Sequence, residues 1–361
     1  MKILDRYIIR KFLGTFIFSL IMILGIAVVF DLSEKLDNFI DHQAPLKAVV
    51  FDYYFNFIPY FGIVFSSLFV FISVIFFTSK MAYNSEIIAI ISSGISFYRL
   101  LFPYLFAAGV IAAGSFLISN YFLPHANARR LAFEEVYVGR RVKYFTHFDI
   151  HRQVRPNIYI YMKDYQQINM LGRKFSIEHF DDRGRLLSKM MADYVKWDTS
   201  KNKWVAHRYF IRTLPDSLHE RIESGYRIDT VFYLEPRDLE KRKHVTETMN
   251  LGELREFVRQ QRLQGAENIE EYEIAYYDRF SNPFSAFILT LIGLALSSRK
   301  MKGGIGMQIG FGIGLSFSYI FFMQFSSQFA IGGSMSPLLA SWLPNIIFSV
   351  IAIILFMMTP K

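Results

Sequence analysis

The chain has 361 residues, 52% hydrophobic, 17% aromatic and 20% charged, with a formal charge of +9. It contains no cysteine, so disulfides, thiolate metal sites and a cysteine-linked lipid anchor are excluded. The basic excess is dispersed rather than gathered on one face, so it points away from a nucleic-acid partner and toward membrane topology.

In chain order, residues 12–30, 53–79, 100–124, 280–298 and 303–360 carry no charge. A spanning helix needs about 20 apolar residues. The first four stretches each fit one span. The fifth fits two, divided at the turn-forming Ile331-Gly-Gly-Ser-Met-Ser-Pro337. The fold class expected is membrane α-helical, six transmembrane helices in a 3+3 arrangement. Residues 1–124 hold helices 1–3 and 280–361 hold helices 4–6. The first stretch is longer than a signal-peptide core and runs directly into Asp31-Leu-Ser-Glu34, so it reads as a span.

Basic residues in short loops mark the cytoplasmic side. Lys2, Arg6, Arg10 and Lys11 precede span 1; Lys80 and Arg99 flank the second loop; Arg299, Lys300 and Lys302 follow span 4; Lys361 ends the chain. The loop expected after span 1 is acidic, with Asp31, Glu34, Asp37, Asp41 and Asp52. Six spans with both termini cytoplasmic satisfy every loop, which puts 125–279 outside the cytoplasm. The +9 then largely reports topology.

Within that insertion the period changes to two. Segments 157–163, 174–180, 190–197, 204–212 and 230–234 read as strands, with hairpin turns at Asp181-Asp-Arg-Gly184 and Thr199-Ser-Lys-Asn202. Short strands joined by polar turns suggest an antiparallel sandwich or an all-β, jelly-roll-like domain. Helical signals return afterwards. Asn250 is placed to cap 251–263, and Asn268 to cap 269–277 leading into span 4.

Signals for chemistry are few. No Gly-Lys dipeptide occurs, so there is no P-loop. The glycines at 304, 306 and 310 lie in a hydrophobic span, where a Rossmann turn cannot form. His147 and His151 sit in a strand-like context, about 13 Å apart, and read as ordinary sheet histidines rather than metal ligands. The spans themselves carry no ionisable group of the kind ion-coupled transporters place there. No cofactor is expected in this chain, and its energy source is expected in a partner.

Two patterns remain. Between spans 2 and 3, Ser85 is placed to cap a helix starting at Glu86, with Ile87 in its first turn and Gly94 as its stop. Such a helix either rests on the lipid interface or docks as a coupling peg in a partner, within a cytoplasmic loop at 80–99. In span 5, Gly306, Gly310, Gly314 and Ser318 recur every four residues and form a small-residue face, suited to packing inside the chain or against a second subunit. Phe317, Phe321 and Phe325 form an aromatic stripe on the same helix. It either faces lipid or meets substrate.

Several motifs together resemble one family. They are Leu4-Asp-Arg-Tyr7, Asn84-Ser-Glu-Ile87 with Ser93-Gly-Ile-Ser96, Leu123-Pro-His-Ala-Asn127, Arg279-Phe-Ser-Asn-Pro283, Arg299-Lys-Met-Lys-Gly-Gly304 and Ala340-Ser-Trp-Leu-Pro-Asn345. The chain resembles the LptF/LptG permeases of the lipopolysaccharide-export ABC transporter over nearly its whole length. The first and last motifs resemble the LptG type more closely.

The resemblance implies a transport subunit without its own ATPase site. It implies pairing with a second LptF/LptG-type permease, a cytoplasmic ATPase dimer that binds ATP and Mg, and a periplasmic LptC-like jelly-roll bridge. It places the protein in the bacterial inner membrane, where lipopolysaccharide enters between spans 1 and 5 of facing subunits. Ser85, Glu86, Ile87 and Gly94 then belong to ATPase coupling, and Gly306, Gly310 and Gly314 to helix packing. Phe30, Lys35, Phe317, Phe321 and Phe325 belong to the substrate path. One departure stands out: family members carry several lysines at the outer end of span 1, where this chain has Asp31, Glu34, Lys35 and Asp37. The expectations of another class are a permease for a different envelope lipid or lipoprotein, and a non-transporting scaffold anchored in the membrane.

Overall fold

The computed structural model describes residues 2–138, 146–166, 168–216, 219–230, 236–239, 245–266, 269–298 and 304–359. The chain forms two compact units. One comprises Met1–Gly139, Thr246–Arg255 and Glu270–Lys361; the other comprises Arg140–Val245 and Glu256–Ile269. The second unit therefore begins at Arg140 rather than at His125, because the helix of span 3 continues past the end of its apolar stretch.

The first unit is helical. Helix α1 (Ile3–Asp41) is followed by α2 (Leu46–Ala48), a π-helical segment Val49–Tyr54, α3 (Phe55–Tyr83) and the short α4 (Glu86–Ser92). Next come α5 (Phe97–Leu117), a second π-helical segment Ile118–Phe122 and α6 (Leu123–Tyr137). After the insertion come α7 (Leu251–Leu263), α8 (Ile269–Ser297), α9 (Gly304–Ile331) and α10 (Pro337–Met357). Among the described residues, six helical stretches are long and apolar enough to cross a membrane: Ile3–Asp41, Leu46–Tyr83, Phe97–Tyr137, Ile269–Ser297, Gly306–Ile331 and Pro337–Met357. They fall three before and three after the insertion, as expected.

The first three stretches are far longer than their charge-free cores. Four of the acidic residues expected in a loop after span 1, Asp31, Glu34, Asp37 and Asp41, ride on α1 itself, and Asp52 lies on the π-helical segment that follows α2. Charge ends the apolar run but not the helix, since Asp31 and Lys35 form an i,i+4 pair at 2.8 Å that suits helical geometry. The helix stops only where Gln43 takes φ 50° and Pro45 follows. Likewise α8 carries Asp278 and Arg279 inside a continuous helix, so the helix expected at 269–277 runs straight into span 4.

The helices pack through aromatics and polar rivets. Phe12 and Tyr104 both stack on Phe77, at 5.8 and 5.2 Å between ring centroids, and all three are buried. Thr78 and Tyr104 share a hydrogen bond of 2.9 Å between α3 and α5. The Tyr319 hydroxyl donates to Asn345 Oδ1 at 2.7 Å, and Asn345 Nδ2 donates to the Ser281 carbonyl at 2.8 Å, tying α9, α10 and α8 together. Interhelical hydrogen bonds in membranes contribute about 0.6–1.7 kcal/mol each. The Trp342-Leu-Pro-Asn345 motif thus supplies a three-helix tie.

The second unit holds six antiparallel strands: β1 (Thr146–Arg155), β2 (Ile158–Gln166), β3 (Leu171–Phe180), β4 (Leu186–Asp198), β5 (Lys203–Asp216) and β6 (His219–Thr230). They pair in chain order as one meandering sheet. The insertion is all-β as expected. The described strands make a single sheet rather than the two facing sheets of a sandwich, because every connection is a hairpin between neighbours. Ile160, Met162, Phe175, Val195 and Trp204 form its buried face. Both anticipated turns are present, and α7 has the expected cap: Asn250 Oδ1 accepts from the Glu253 N–H at 2.9 Å, and Glu253 returns the bond to the Asn250 N–H at 2.8 Å. Asn268 and most of the candidate strand at 230–234 lie outside the described residues. His147 and His151 fall on β1 and pair in register with Tyr165 and Tyr161.

Asp181 organises the β3–β4 turn. Its Oδ1 accepts from the Arg183 and Arg185 N–H groups at 2.9 and 2.8 Å, and Oδ2 accepts from Arg185 Nε at 2.8 Å. The Arg185 bonds, backbone first, hold its carboxyl below the ordinary carboxylate value. A depressed folded-state value gives stability that is present above that ordinary value and lost as pH falls through the folded one. Asp181→Ala is therefore expected to lower the melting temperature of the sheet at neutral pH, with the deficit closing in acid. Thermal melts followed by tryptophan fluorescence, dominated by Trp197 and Trp204, check this across pH.

Candidate functional site

The small helix α4 lies where the sequence placed it, but its cap differs. Ser85 takes a left-handed conformation at φ 62°, and its side chain makes no capping bond. A left-handed residue turns its hydroxyl away from the first-turn N–H groups, so the serine shapes the entry to α4 without satisfying it. Gly94 ends the helix as expected, at φ 85°, with its N–H on the Ile91 carbonyl at 3.0 Å. Ile87 is buried in the helical core, packed with Met81, Phe97 and Leu100, and so anchors α4 from within. Ile88, 58% exposed, is the apolar side chain that α4 presents outward.

Glu86 is engaged inside the chain. Its carboxylate accepts from the Tyr7 hydroxyl of α1 at 3.1 Å and from Asn84 Nδ2 at 3.4 Å. Beside it, Asp5 of α1 is buried and paired with Arg99 at the start of α5, at 2.7 Å. Asp5 also accepts from the Lys2 N–H at 2.9 Å.

The other end of α1 holds a second charge network. The Lys35 ammonium lies 2.8 Å from Asp31 and 3.4 Å from Glu134 of α6, and it also bonds the Tyr53 hydroxyl. Tyr53 in turn donates to Asp31 at 2.9 Å. Arg130 reaches Glu134 at 3.3 Å and Glu247 at 3.7 Å, and lies over the Tyr60 ring. Lys35 is thus held by carboxylates from two helices rather than projecting as a free phosphate-binding cation. Phe30, 73% exposed, immediately precedes Asp31 of this network on the continuous helix.

Helix α9 has two opposed faces. At 3.6 residues per turn, Gly306, Phe317, Gly310, Phe321, Gly314 and Phe325 fall within an arc of about 100°. Phe317, Phe321 and Phe325 are 59%, 66% and 50% exposed, and Phe321 stacks on Phe325 at 5.7 Å. The opposite arc carries Gln308, Gly312, Ser316, Tyr319, Ser326 and Ala330, all buried. Small and polar residues thus face the bundle and aromatics face outward, the arrangement a lipid environment favours.

The glycine face corrects one expectation. A Cβ placed on Gly306, Gly310 or Gly314 meets nothing within 4 Å, so these residues pack against no helix of this chain. The packing glycine is Gly312, whose added Cβ would collide with Ile75 of α3; Gly293 of α8 plays the same part against Val74, at 2.9 Å. Of the two expectations for this small-residue face, packing inside the chain is not what these three glycines do, and contact with a second subunit stays open. Gly306, Gly310 and Gly314 leave a shallow groove on the outward arc, next to the phenylalanine ridge.

Sequence reasoning also missed Arg279. Its guanidinium donates to the Thr246 and Met249 carbonyls at 2.9 and 2.6 Å, and to Asn120 Oδ1 at 3.4 Å. It ties α8 to the π-helical segment after α5 and to the turn before α7. Its place in the Arg279-Phe-Ser-Asn-Pro283 motif was the available signal. Among the described residues, no group of three or more His, Asp or Glu side chains is placed to hold a metal ion.

The family model for the lipopolysaccharide export system permease LptF/LptG matches residues 6–358. The chain belongs to the LptF/LptG family. Comparison with curated proteins gives no match. LptF/LptG permeases are transmembrane subunits of an ABC transporter and are not themselves catalytic.

The two glycine classes separate experimentally. Gly312→Leu is expected to overpack the α3–α9 contact and destabilise the permease by about 1–3 kcal/mol. Gly310→Leu and Gly314→Leu are expected to leave its stability unchanged. Thermal unfolding of the detergent-solubilised protein, read by tryptophan fluorescence, distinguishes them.

Proposed function

We propose that this chain extracts lipopolysaccharide from the inner membrane, driven by a partner ATPase, and passes it to a periplasmic bridge protein of LptC-like chemistry. The observation that carries this reading is the outward arc of α9 in a chain of the LptF/LptG family. Acyl chains require an apolar, adaptable wall, and Phe317, Phe321 and Phe325 supply one. The open groove at Gly306, Gly310 and Gly314 admits the close approach of a second, paired LptF/LptG-type permease or of the substrate's acyl chains.

In this reading both termini are cytoplasmic and the sheet unit is periplasmic, as the placement of basic residues favours. Helix α4 is the peg that meets the ATPase dimer, presenting Ile88 and the Glu86 edge, while Ile87 holds the peg in place. ATP and Mg stay with that partner. The opening Leu4-Asp-Arg-Tyr7 and the Trp342-Leu-Pro-Asn345 motif favour the LptG role within the pair. Lys35 is a structural cation in this reading, and the exposed Glu34 and Asp37 meet lipid phosphates through divalent cations.

A photo-crosslinker at Phe317 or Phe321 in the assembled transporter is expected to capture lipopolysaccharide, with the adduct falling when ATP drives turnover. At Lys35 capture is expected to be weaker and to rise with magnesium or calcium. Capture of bulk phospholipid alone, insensitive to ATP, contradicts the assignment. Glu86→Ala is expected to lower export per ATP hydrolysed while the permease stays folded. Normal export in that variant removes Glu86 from coupling.

A further inference from the structure

Helix α1 is tied at its two ends and loose between them. In its first ten residues Asp5, Ile8 and Phe12 are buried, and near its far end Phe39 is buried; between Phe12 and Phe39, Leu24 alone is. Ile17, Phe18, Ile21, Met22, Ile26 and Val29 are 48–65% exposed. The near end is fastened by Asp5–Arg99 at 2.7 Å and Tyr7–Glu86 at 3.1 Å, which join α1 to both sides of the α4 turn. The far end is fastened by Lys35–Glu134 and by Phe39 packed edge-on to Phe133 at 5.7 Å, both on α6. The chain leaves α6 for the sheet unit. No proline or glycine kink interrupts α1: it contains no proline, and it runs as one helix of 39 residues through Gly14 and Gly25. That length is about 58 Å.

A stiff helix pinned at both ends and free in the middle moves as a unit when one pin moves. We infer that α1 is a transmission rod: displacement of the α4 region is carried along α1 to α6, the segment from which the sheet unit departs. Asp5, Tyr7 and Arg99 are the positioning residues at one end, and Asp31, Lys35 and Glu134 at the other. The two pins differ in kind. The Tyr7–Glu86 bond is exposed and lies on the α4 peg itself, so a partner that moves the peg pulls the bond directly. The Lys35 pin is a shielded cluster of three charges and a phenol, which resists slipping. Between the pins Leu24 alone is fully buried, with Leu13, Phe16, Ala27 and Val28 half-buried against the core, so little apolar contact holds the middle of α1 back when a pin is displaced.

This inference rests on the proposed ATP-driven role of α4, and its test separates the two. The chain contains no cysteine, so label sites are introduced without removing any. Spin labels go on Ile40→Cys of α1 and Val136→Cys of α6, each paired in turn with Leu338→Cys of α10, in the complete transporter in nanodiscs. Distances are read by pulsed EPR before and after ATP with vanadate. In the parent protein both distances are expected to shift. Tyr7→Phe, which removes only a hydroxyl, is expected to cut both shifts by about threefold or more. Lys35→Met is expected to spare the α1 shift and cut the α6 shift by about threefold or more, the remainder being carried by the Phe39–Phe133 contact. The pair Asp5→Arg with Arg99→Asp, re-forming the bridge in reverse, is expected to restore a shift lost in Asp5→Arg alone.

An α6 shift that survives both Tyr7→Phe and Lys35→Met undiminished overturns the rod, as does a parent protein in which α1 does not move. Shifts that follow the rod pattern in a complex that releases no lipopolysaccharide keep the rod and refute the export reading. Melting temperatures equal to the parent's show that the variants act on transmission rather than on folding.

Discussion

A charge that leaves water beside a bilayer must find a partner, because an unpaired ion in that setting costs several kcal/mol. The helical unit is organised around this requirement. Asp5 meets Arg99, Lys35 meets Asp31 and Glu134, and Arg130 meets Glu134 and Glu247. Arg279 spends its donors on two backbone carbonyls and an asparagine. Asp31–Lys35 and Arg130–Glu134 are pairs within one helix, while Asp5–Arg99, Lys35–Glu134, Arg130–Glu247 and the Arg279 bonds join segments distant in sequence. The apolar stretches between them are free to face lipid.

The same requirement explains the composition of the helix faces. Lipid tails are as apolar as leucine, so burying a leucine between helices gains little over leaving it in the bilayer. Contacts that hold a membrane bundle are therefore close backbone approach and internal hydrogen bonds. Gly312 and Gly293 provide the first, and the Tyr319–Asn345–Ser281 chain provides the second. The large aromatics of α9 are thereby left on the outside, which is where a transporter of acyl chains needs them. In the proposed reading stability and substrate access draw on opposite faces of one helix, so each can change without disturbing the other.

Much of this was legible in the sequence. The six spans follow from charge-free length, the sheet from period-two alternation and the α7 cap from Asn250. Helix ends were less legible, because hydropathy marks where a span leaves the apolar core and not where its helix stops; Asp31 to Asp41 are polar and helical at once. Strand β6 was missed since His219–Thr230 is a largely exposed strand rich in charge, with little apolar alternation to betray it. At α4 the helix and its Gly94 stop were right and the Ser85 cap was not. Ser85 is left-handed, Ile87 points inward, and only three-dimensional packing decides between adjacent isoleucines. The Gly306–Gly310–Gly314 period was visible, but which face of α9 meets the bundle is set by Gly312 and Tyr319, whose partners lie in α3 and α10.

The account as a whole holds that this chain works only as part of an ATP-driven, lipid-exporting assembly. Native mass spectrometry of the complex released from its own membranes tests that most directly. The account predicts one particle containing one copy of this chain, a second permease of the family, an ATPase dimer and bound lipopolysaccharide. A chain recovered alone, or with phospholipid only and no ATPase, contradicts it.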